Sequence, residues 1–171
     1  MQTENSILQK ITSQSEINAA AKLAADIWAE HYTPIIGKQQ VDYMVANFQS
    51  PQAISEQIKN GYEYYFIKSL SENAGYIAID YKDDGSLFLS KLYIAKAFRG
   101  KGLAKKAVNE IIGFAKQKNC SRIWLTVNKN NSGSIAAYNK LGFKQVDAVV
   151  SDIGGGFVMD DYIMQLNLED N

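Results

Sequence analysis

A glycine-bearing hexapeptide has the composition of a phosphate-binding turn. It stands between an apolar stretch, residues 87–95, and an amphipathic stretch, residues 103–118, and so predicts the junction of a strand and a helix. The first N–H groups of a helix lack intrahelical partners, and the helix dipole is positive there. Glycine lets an anion approach the backbone, because it has no Cβ. The sequence therefore predicts a phosphate cradle. Its residues are Arg99, Gly100, Lys101, Gly102, Leu103 and Ala104.

Two other phosphate-binding motifs do not fit this turn. A dinucleotide-binding fingerprint needs a third glycine at the position where Lys105 stands. A P-loop needs a lysine followed by serine or threonine, and neither Gly37-Lys38 nor Gly100-Lys101 continues in that way. The alternative without a ligand is an ordinary strand-to-helix turn, in which glycine serves close packing.

A second polar segment follows the predicted strand of residues 121–127. It includes Asn131 and leads into a short predicted helix that contains Tyr138 and ends near Gly142 and Phe143. A tyrosine phenol has a pKa near 10, so Tyr138 is protonated at neutral pH and is able to donate a proton. The structural alternative is a helix capped by Asn131 and stopped by Gly142.

With these two segments the chain resembles the GNAT superfamily of N-acetyltransferases. The family motif Gln/Arg-x-x-Gly-x-Gly/Ala, which binds the pyrophosphate of acetyl-coenzyme A, corresponds to Arg99, Gly102 and Ala104. The family also carries an asparagine before a helix with Tyr-x-x-x-Gly-Phe, as at Asn131 and Tyr138. The resemblance covers roughly residues 62–168, and the first third matches only in general organisation. It implies acetyl-CoA as cosubstrate and no metal.

The resemblance also implies roles for residues around the turn. The backbone of Leu92, Tyr93 and Ile94 would receive the pantetheine arm like an added strand. A bulge in that strand would leave main-chain groups unpaired, and one of their N–H groups would polarise the thioester carbonyl. Asn131 would contact the cofactor with its amide, and Tyr138 would protonate the leaving thiolate. The alternative for Tyr138 is a packing role with its hydroxyl at the surface.

The general base is harder to predict. A lysine-like amine has a pKa of about 10.4, so neutralising it at pH 7 costs about 4.6 kcal/mol. Many family members place a glutamate on the strand before the turn, but residues 89–92 of this chain contain no acid. Either a chain of water molecules or an acid elsewhere in the chain would then serve as the base. Glu30 is the first candidate, because the first helices usually wall the acceptor site in this family, and Asp160 is the second. Asp80 and Asp161 are further candidates, and each of the four acids is otherwise expected to be a surface charge.

Composition limits which other classes of function the chain could have. The chain has 171 residues, zero formal net charge, one cysteine and one histidine. A zero net charge provides no overall electrostatic attraction to nucleic acid or to anionic membranes. A single histidine argues against a histidine-based metal site. The absence of an apolar span or basic leader, with the single cysteine, predicts a cytoplasmic protein. A homodimer is frequent in the superfamily, although nothing marks an interface.

The elements that position these residues predict an α/β (α+β) fold. Their order is a strand, three helices, three strands, a helix, a strand, a helix and two strands. We expect a mixed, mostly antiparallel sheet with a parallel pair at the cofactor site, flanked by helices. Pro34 is expected to interrupt the first helix, predicted over residues 14–30. Residues 1–171 are predicted to form a single domain, with acceptor-side helices in 1–60 and the cofactor-binding core in 61–168.

Three functions stay open at this point. The first is an N-acetyltransferase that moves an acetyl group to a small primary amine, such as a polyamine, by direct attack in a ternary complex. The alternative acceptor is a protein N-terminus or a lysine, and the other class is a non-catalytic acyl-CoA-binding module. Trp28, His31 and Tyr32 are predicted to border the acceptor pocket, although Trp28 also fits the core.

Overall fold

The computed structural model describes residues 6–168, and its elements follow the predicted order. The helices are α1 (Gln14–Ile36), α2 (Lys38–Phe48), α3 (Pro51–Lys59), α4 (Leu103–Gln117) and α5 (Ser132–Lys140). The strands are β1 (Leu8–Lys10), β2 (Glu63–Ser69), β3 (Glu72–Tyr81), β4 (Ser86–Ile94), β5 (Arg122–Asn128), β6 (Lys144–Gly154) and β7 (Phe157–Asn167). Within residues 6–168, no helix is both long and apolar enough to cross a bilayer.

The seven strands form one mixed sheet in the order β1-β2-β3-β4-β5-β7-β6. The β4–β5 pair is parallel, and the other neighbours are antiparallel. This confirms the predicted fold class. The last hairpin extends the sheet beyond β5, with β7 between β5 and β6 and with β6 at the edge.

The parallel pair opens a cleft in the middle of the sheet. β4 and β5 pair only where residues 86–88 face residues 122–124. Both strands then continue, to Ile94 and Asn128, without pairing with each other. Their carboxyl ends therefore diverge and leave backbone groups of β4 free toward β5.

A bulge in β4 lies beside this cleft. Ile79 faces Leu89 and Ala78 faces Lys91, so Ser90 is the extra residue of the bulge. The expected bulge is therefore confirmed, several residues before the phosphate-binding turn.

Each face of the sheet carries its own core. Alternating β3 side chains separate the two: Ile77 and Ile79 lie in the core under α4, and Tyr76 and Ala78 lie in the core under α1–α3. All four are fully buried. Because α1 through α3 cover one face and α4 the other, the cleft between β4 and β5 is bordered by helices from both layers.

The first helix is longer than predicted. Its N-cap is Ser13, whose side chain accepts a hydrogen bond from the Glu16 backbone N–H in a capping box. It then continues through Pro34 and ends before Gly37, whose φ is 86°. The expectation that Pro34 interrupts the helix is therefore wrong. Buried Trp28 and Tyr32 hold this part of the helix on the core, and that packing outweighs the one backbone bond that proline removes.

Candidate active site

Two cavities lie in and beside the cleft between β4 and β5. The larger, about 440 Å³, is bordered by α1, α2, β4, β5 and the β6–β7 hairpin. The smaller, about 310 Å³, lies between α1, β4, the start of α4 and α5. They have a common wall, so groups in the two cavities come together there. Its residues are Tyr32, Leu92, Tyr93, Ser134 and Tyr138.

The predicted phosphate-binding turn leads into α4 beside the smaller cavity. Gly100 and Gly102 have φ angles of 79° and 76°, which favour glycine, and a Cβ on either would meet open space. Within residues 6–168, no oxygen accepts a hydrogen bond from the N–H groups of residues 100–105. Ala104 lines the smaller cavity, while Leu103 is anchored in the core. The turn thus has free donors and open space, as an anion cradle needs.

Arg99, predicted to bind the cofactor, and Glu30, the first candidate for the general base, form an ion pair. The two terminal nitrogens of Arg99 lie 2.9 and 2.8 Å from the two carboxylate oxygens of Glu30, and Nε donates to the Ile94 carbonyl at 2.9 Å. The hydrogen bonds from Arg99 lower the pKa of the Glu30 carboxyl. Such a carboxylate is a weaker proton acceptor, so the pairing disfavours Glu30 as the base.

We expect Glu30→Gln to lower kcat by less than about tenfold, because loss of a partly exposed ion pair is a small perturbation. Removal of a general base lowers kcat by about a hundredfold to ten-thousandfold. Steady-state kinetics with a saturating amine separates the two outcomes. A fall in kcat of a hundredfold or more, with unchanged folding, would restore Glu30 as the base.

Tyr138 lies on α5 in the wall common to both cavities. Its ring packs edge-on against Phe143, with centroids 5.6 Å apart. Burial raises the pKa of its hydroxyl, so the phenol is protonated across the neutral range. Burial also raises the pKa of Tyr32 to about 12, and Tyr32 and Tyr93 pack edge-on with centroids 6.0 Å apart. The wall is therefore a cluster of neutral phenols.

Asn131 connects α5 to α1. Its side chain is buried, and Nδ2 donates to the Tyr32 hydroxyl at 3.3 Å. Its Oδ1 lies 3.3 Å from Nε2 of His31. Asn131 occupies the N-cap position of α5, but its side chain makes no capping hydrogen bond. The capping alternative is therefore not observed, and Asn131 instead fixes the Tyr32 hydroxyl in the wall of the larger cavity.

The three alternative acids differ in their surroundings. Asp80 pairs with Lys82, and exposed Asp160 pairs with Lys129, each at 2.8 Å. Asp161, by contrast, is only 7% exposed and lines the larger cavity. Its Oδ1 has no hydrogen-bond partner within residues 6–168. Burial, followed by the charge of Asp160, raises the pKa of Asp161 to about 6.

The expectation that Asp161 is a surface charge is therefore wrong. In a strand, residues two apart share a face, and Met159 lines the same cavity. The sequence therefore indicated that Met159 and Asp161 share a face of β7. It did not indicate which face of β7 would be buried.

Lys91 lies on β4, the strand on which many family members carry a glutamate and this chain carries no acid between residues 89 and 92. It is buried, and its Nζ donates to the Phe48 carbonyl at 2.7 Å, to Gln57 Oε1 at 3.2 Å and to the Tyr64 hydroxyl. Burial lowers the pKa of Lys91 to about 7. All three ammonium hydrogens have acceptors, so Lys91 connects β4 to helices α2 and α3 in the wall of the larger cavity.

Known proteins share this sequence pattern and fold. The profile described as "Acetyltransferase (GNAT) family" matches residues 24–143. An uncharacterized N-acetyltransferase of Mycobacterium tuberculosis is 31% identical over 90 residues, 53% of this chain and 57% of that protein. The spermine/spermidine N(1)-acetyltransferase of Bacillus subtilis is 33% identical over 69 residues, 38% of this chain and 45% of that protein. The chain thus spans about half the length of these curated relatives.

A solved structure extends the comparison to nearly the whole chain. The PaiA N-acetyltransferase of Thermoplasma acidophilum, in complex with coenzyme A, superposes with a TM-score of 0.79. The match covers 94% of this chain and 99% of that one, at 19% sequence identity. At this identity the match shows the fold.

Proposed function

Because the chain belongs to the GNAT family of acetyltransferases, we propose that it transfers an acetyl group from acetyl-CoA to a small primary amine by direct attack in a ternary complex. The observation that carries the proposal is the common wall of the two cavities, with Tyr138 in it. A donor held in the smaller cavity and an acceptor held in the larger one would meet beside that hydroxyl.

On the donor side, the free N–H groups of residues 100–105 would hold the pyrophosphate. Each backbone hydrogen bond to a charged oxygen contributes roughly 1.5–3 kcal/mol. Leu92, Tyr93 and Ile94 lie on the part of β4 that does not pair with β5. Their free backbone edge is suited to bind the amides of the pantetheine arm as an added strand would be bound. Arg99, fixed by Glu30, would border the entry.

At the common wall, two groups of the chain would act on the thioester. A backbone N–H near the β4 bulge would donate to the carbonyl oxygen as that oxygen gains charge. The Tyr138 hydroxyl would give its proton to the departing thiolate, and general acid catalysis of this kind contributes about a hundredfold to ten-thousandfold in rate. Both the phenol and the thiolate are desolvated there, which favours neutral over charged forms of each.

On the acceptor side, α2 and the β6–β7 hairpin both border the larger cavity and are joined by hydrogen bonds. The Tyr43 hydroxyl donates to the Ile153 carbonyl at 2.8 Å, and the Gln40 amide donates to the Val158 carbonyl at 3.0 Å. These bonds hold the hairpin against α2 beside Ile153, which lines the cavity. A pocket with helices α1–α3 on one side and the hairpin on the other favours a small amine over a protein acceptor.

The experiment is a thiol-release assay over a panel of amines that includes spermidine, spermine, short diamines, and peptides with a free α-amine or a lysine. We expect kcat/KM for the best small amine to exceed that for every peptide by about tenfold or more. Polyamines come first because a relative is named for them. A preference for peptides would favour the protein-acetylating alternative, and acetyl-CoA binding without turnover on any amine would favour the binding module.

A further inference from the structure

Asp161 is the one carboxylate that lines the larger cavity in the described part of the chain. Given the proposed acetyl transfer, we propose that Asp161 is its general base, which takes the proton from the ammonium form of the acceptor amine.

The fold fixes Asp161 in the cavity wall. β7 runs between β5 and β6, and Asp161 pairs in register with Asn128 on one side and Val149 on the other. A residue paired on both sides has little backbone freedom, so its carboxylate is held toward the cavity that also contains Tyr138 and Tyr32. The base is thereby placed on the acceptor side of the common wall.

The carboxylate lacks the partner that a buried acid normally has. Its Oδ1 accepts no hydrogen bond, and no lysine or arginine forms an ion pair with Asp161 among the described residues. A buried, unsatisfied oxygen costs free energy unless a ligand supplies the donor. The donor that fits is a primary ammonium, which has three N–H groups and a positive charge.

The titratable groups around Asp161 leave it ionised at neutral pH. Tyr32 from α1 and Tyr138 from α5 are neutral, because burial raises the pKa of both hydroxyls. Asp160 on the same strand is paired with Lys129, and Lys91 from β4 lies in the same cavity wall. With its own pKa raised to about 6, Asp161 is a stronger base than an ordinary aspartate and still charged at pH 7.

The proton balance of the step is complete. The ammonium gives one proton to Asp161, and the neutral nitrogen forms a bond to the thioester carbonyl carbon as the carbon–sulfur bond breaks. The thiolate takes the Tyr138 proton, and Tyr138 is reprotonated by the second nitrogen proton, which leaves the amide. Asp161 then releases its proton to solvent. Ammonium and acetyl-CoA thus give the acetamide, the free thiol and one proton, and no further reactant is needed.

The test compares Asp161→Asn with Asp160→Asn, which removes the same charge from the exposed neighbour. At pH 7 and with a lysine-like amine, we expect Asp161→Asn to lower kcat/KM by about a hundredfold or more. We expect Asp160→Asn to change it by less than about threefold. The Kd for acetyl-CoA should be unchanged in both variants. Asp161→Asn should melt no lower than the wild type, because the amide removes a buried charge; if it does not fold, Asp161→Ser carries the same comparison.

The pH profile distinguishes a base from a structural residue. Wild-type kcat/KM should rise with pH and level off above about pH 6, where Asp161 is ionised. In Asp161→Asn it should keep rising about tenfold per pH unit toward the pKa of the amine, since only amine that is already neutral reacts. The defect should also shrink for an α-amine of pKa about 8.

A wild-type rate and pH profile in a folded Asp161→Asn variant would overturn the assignment while acetyl transfer stands. Acetyl-CoA binding without transfer to any amine by the wild-type protein would overturn both the assignment and the proposed function.

Discussion

Replacing Tyr138 with phenylalanine is expected to lower kcat by about a hundredfold or more while the Kd for acetyl-CoA changes by less than about twofold. The substitution removes only the hydroxyl, and the ring keeps its edge-on contact with Phe143. Without the phenol, the thiolate departs unprotonated into a desolvated cleft. Single-turnover kinetics gives the rate of the chemical step, and calorimetry gives the Kd.

The matched control is Tyr162→Phe. Tyr162 lies on β7, its ring centroid is 5.5 Å from the Lys129 ammonium, and it lines neither of the two cavities. Loss of the Tyr162 hydroxyl should leave kcat and the Kd unchanged. A Tyr138→Phe variant as active as Tyr162→Phe would remove Tyr138 from the mechanism, and water would then be the proton donor.

The second large effect is expected at the phosphate-binding turn. Gly102→Ala should weaken acetyl-CoA binding by about tenfold to a hundredfold, which is the loss of one or two hydrogen bonds between amides and phosphate. The new Cβ would project into open space that the ligand needs, and a φ of 76° is unfavourable for alanine. Titration calorimetry with acetyl-CoA measures the change.

Gly85→Ala is the control for backbone strain. Gly85 lies in the turn between β3 and β4, has a φ of 81°, and also has open space where a Cβ would stand. Both substitutions should lower the free energy of unfolding by roughly 1–2 kcal/mol, but only Gly102→Ala should change the Kd. Equal Kd values for the two variants would show that the turn does not hold the pyrophosphate.

Features that depend on a few neighbouring residues could be predicted from the sequence. Gly100 and Gly102 need only their own backbone angles and the helix that begins at Leu103, so the turn was visible as a motif. A bulge in β4 was expected from the family resemblance, and the parallel pair at the cleft was expected from the order of the elements. Both are present in the structure, with the bulge at Ser90.

Contacts between distant segments could not be predicted. Arg99 meets Glu30 across 69 positions of the chain, and that contact changes the chemistry of both side chains. Asp161 is buried because β7 lies between β5 and β6, a pairing that alternation of polar and apolar residues does not specify. Lys91 is charged by type, yet helices α2 and α3 supply acceptors that let it lie in the interior.

The two cavities also explain how donor and acceptor would be kept separate until transfer. The smaller cavity lies next to the phosphate-binding turn, and the larger one is lined by Asp161 and other residues of the β6–β7 hairpin. Only the common wall is accessible to both. A covalent acetyl-enzyme is not required by this arrangement, because the two substrates would meet directly beside Tyr138.

The most direct test is mass spectrometry of the protein mixed with acetyl-CoA, with and without the best amine of the panel. We predict that the amine gains one acetyl group in step with release of free CoA. We also predict that the protein gains none during incubation with acetyl-CoA alone. A protein-bound acetyl group that later passes to the amine would contradict direct attack, and acetyl-CoA binding with no acetylated amine would contradict acetyl transfer itself.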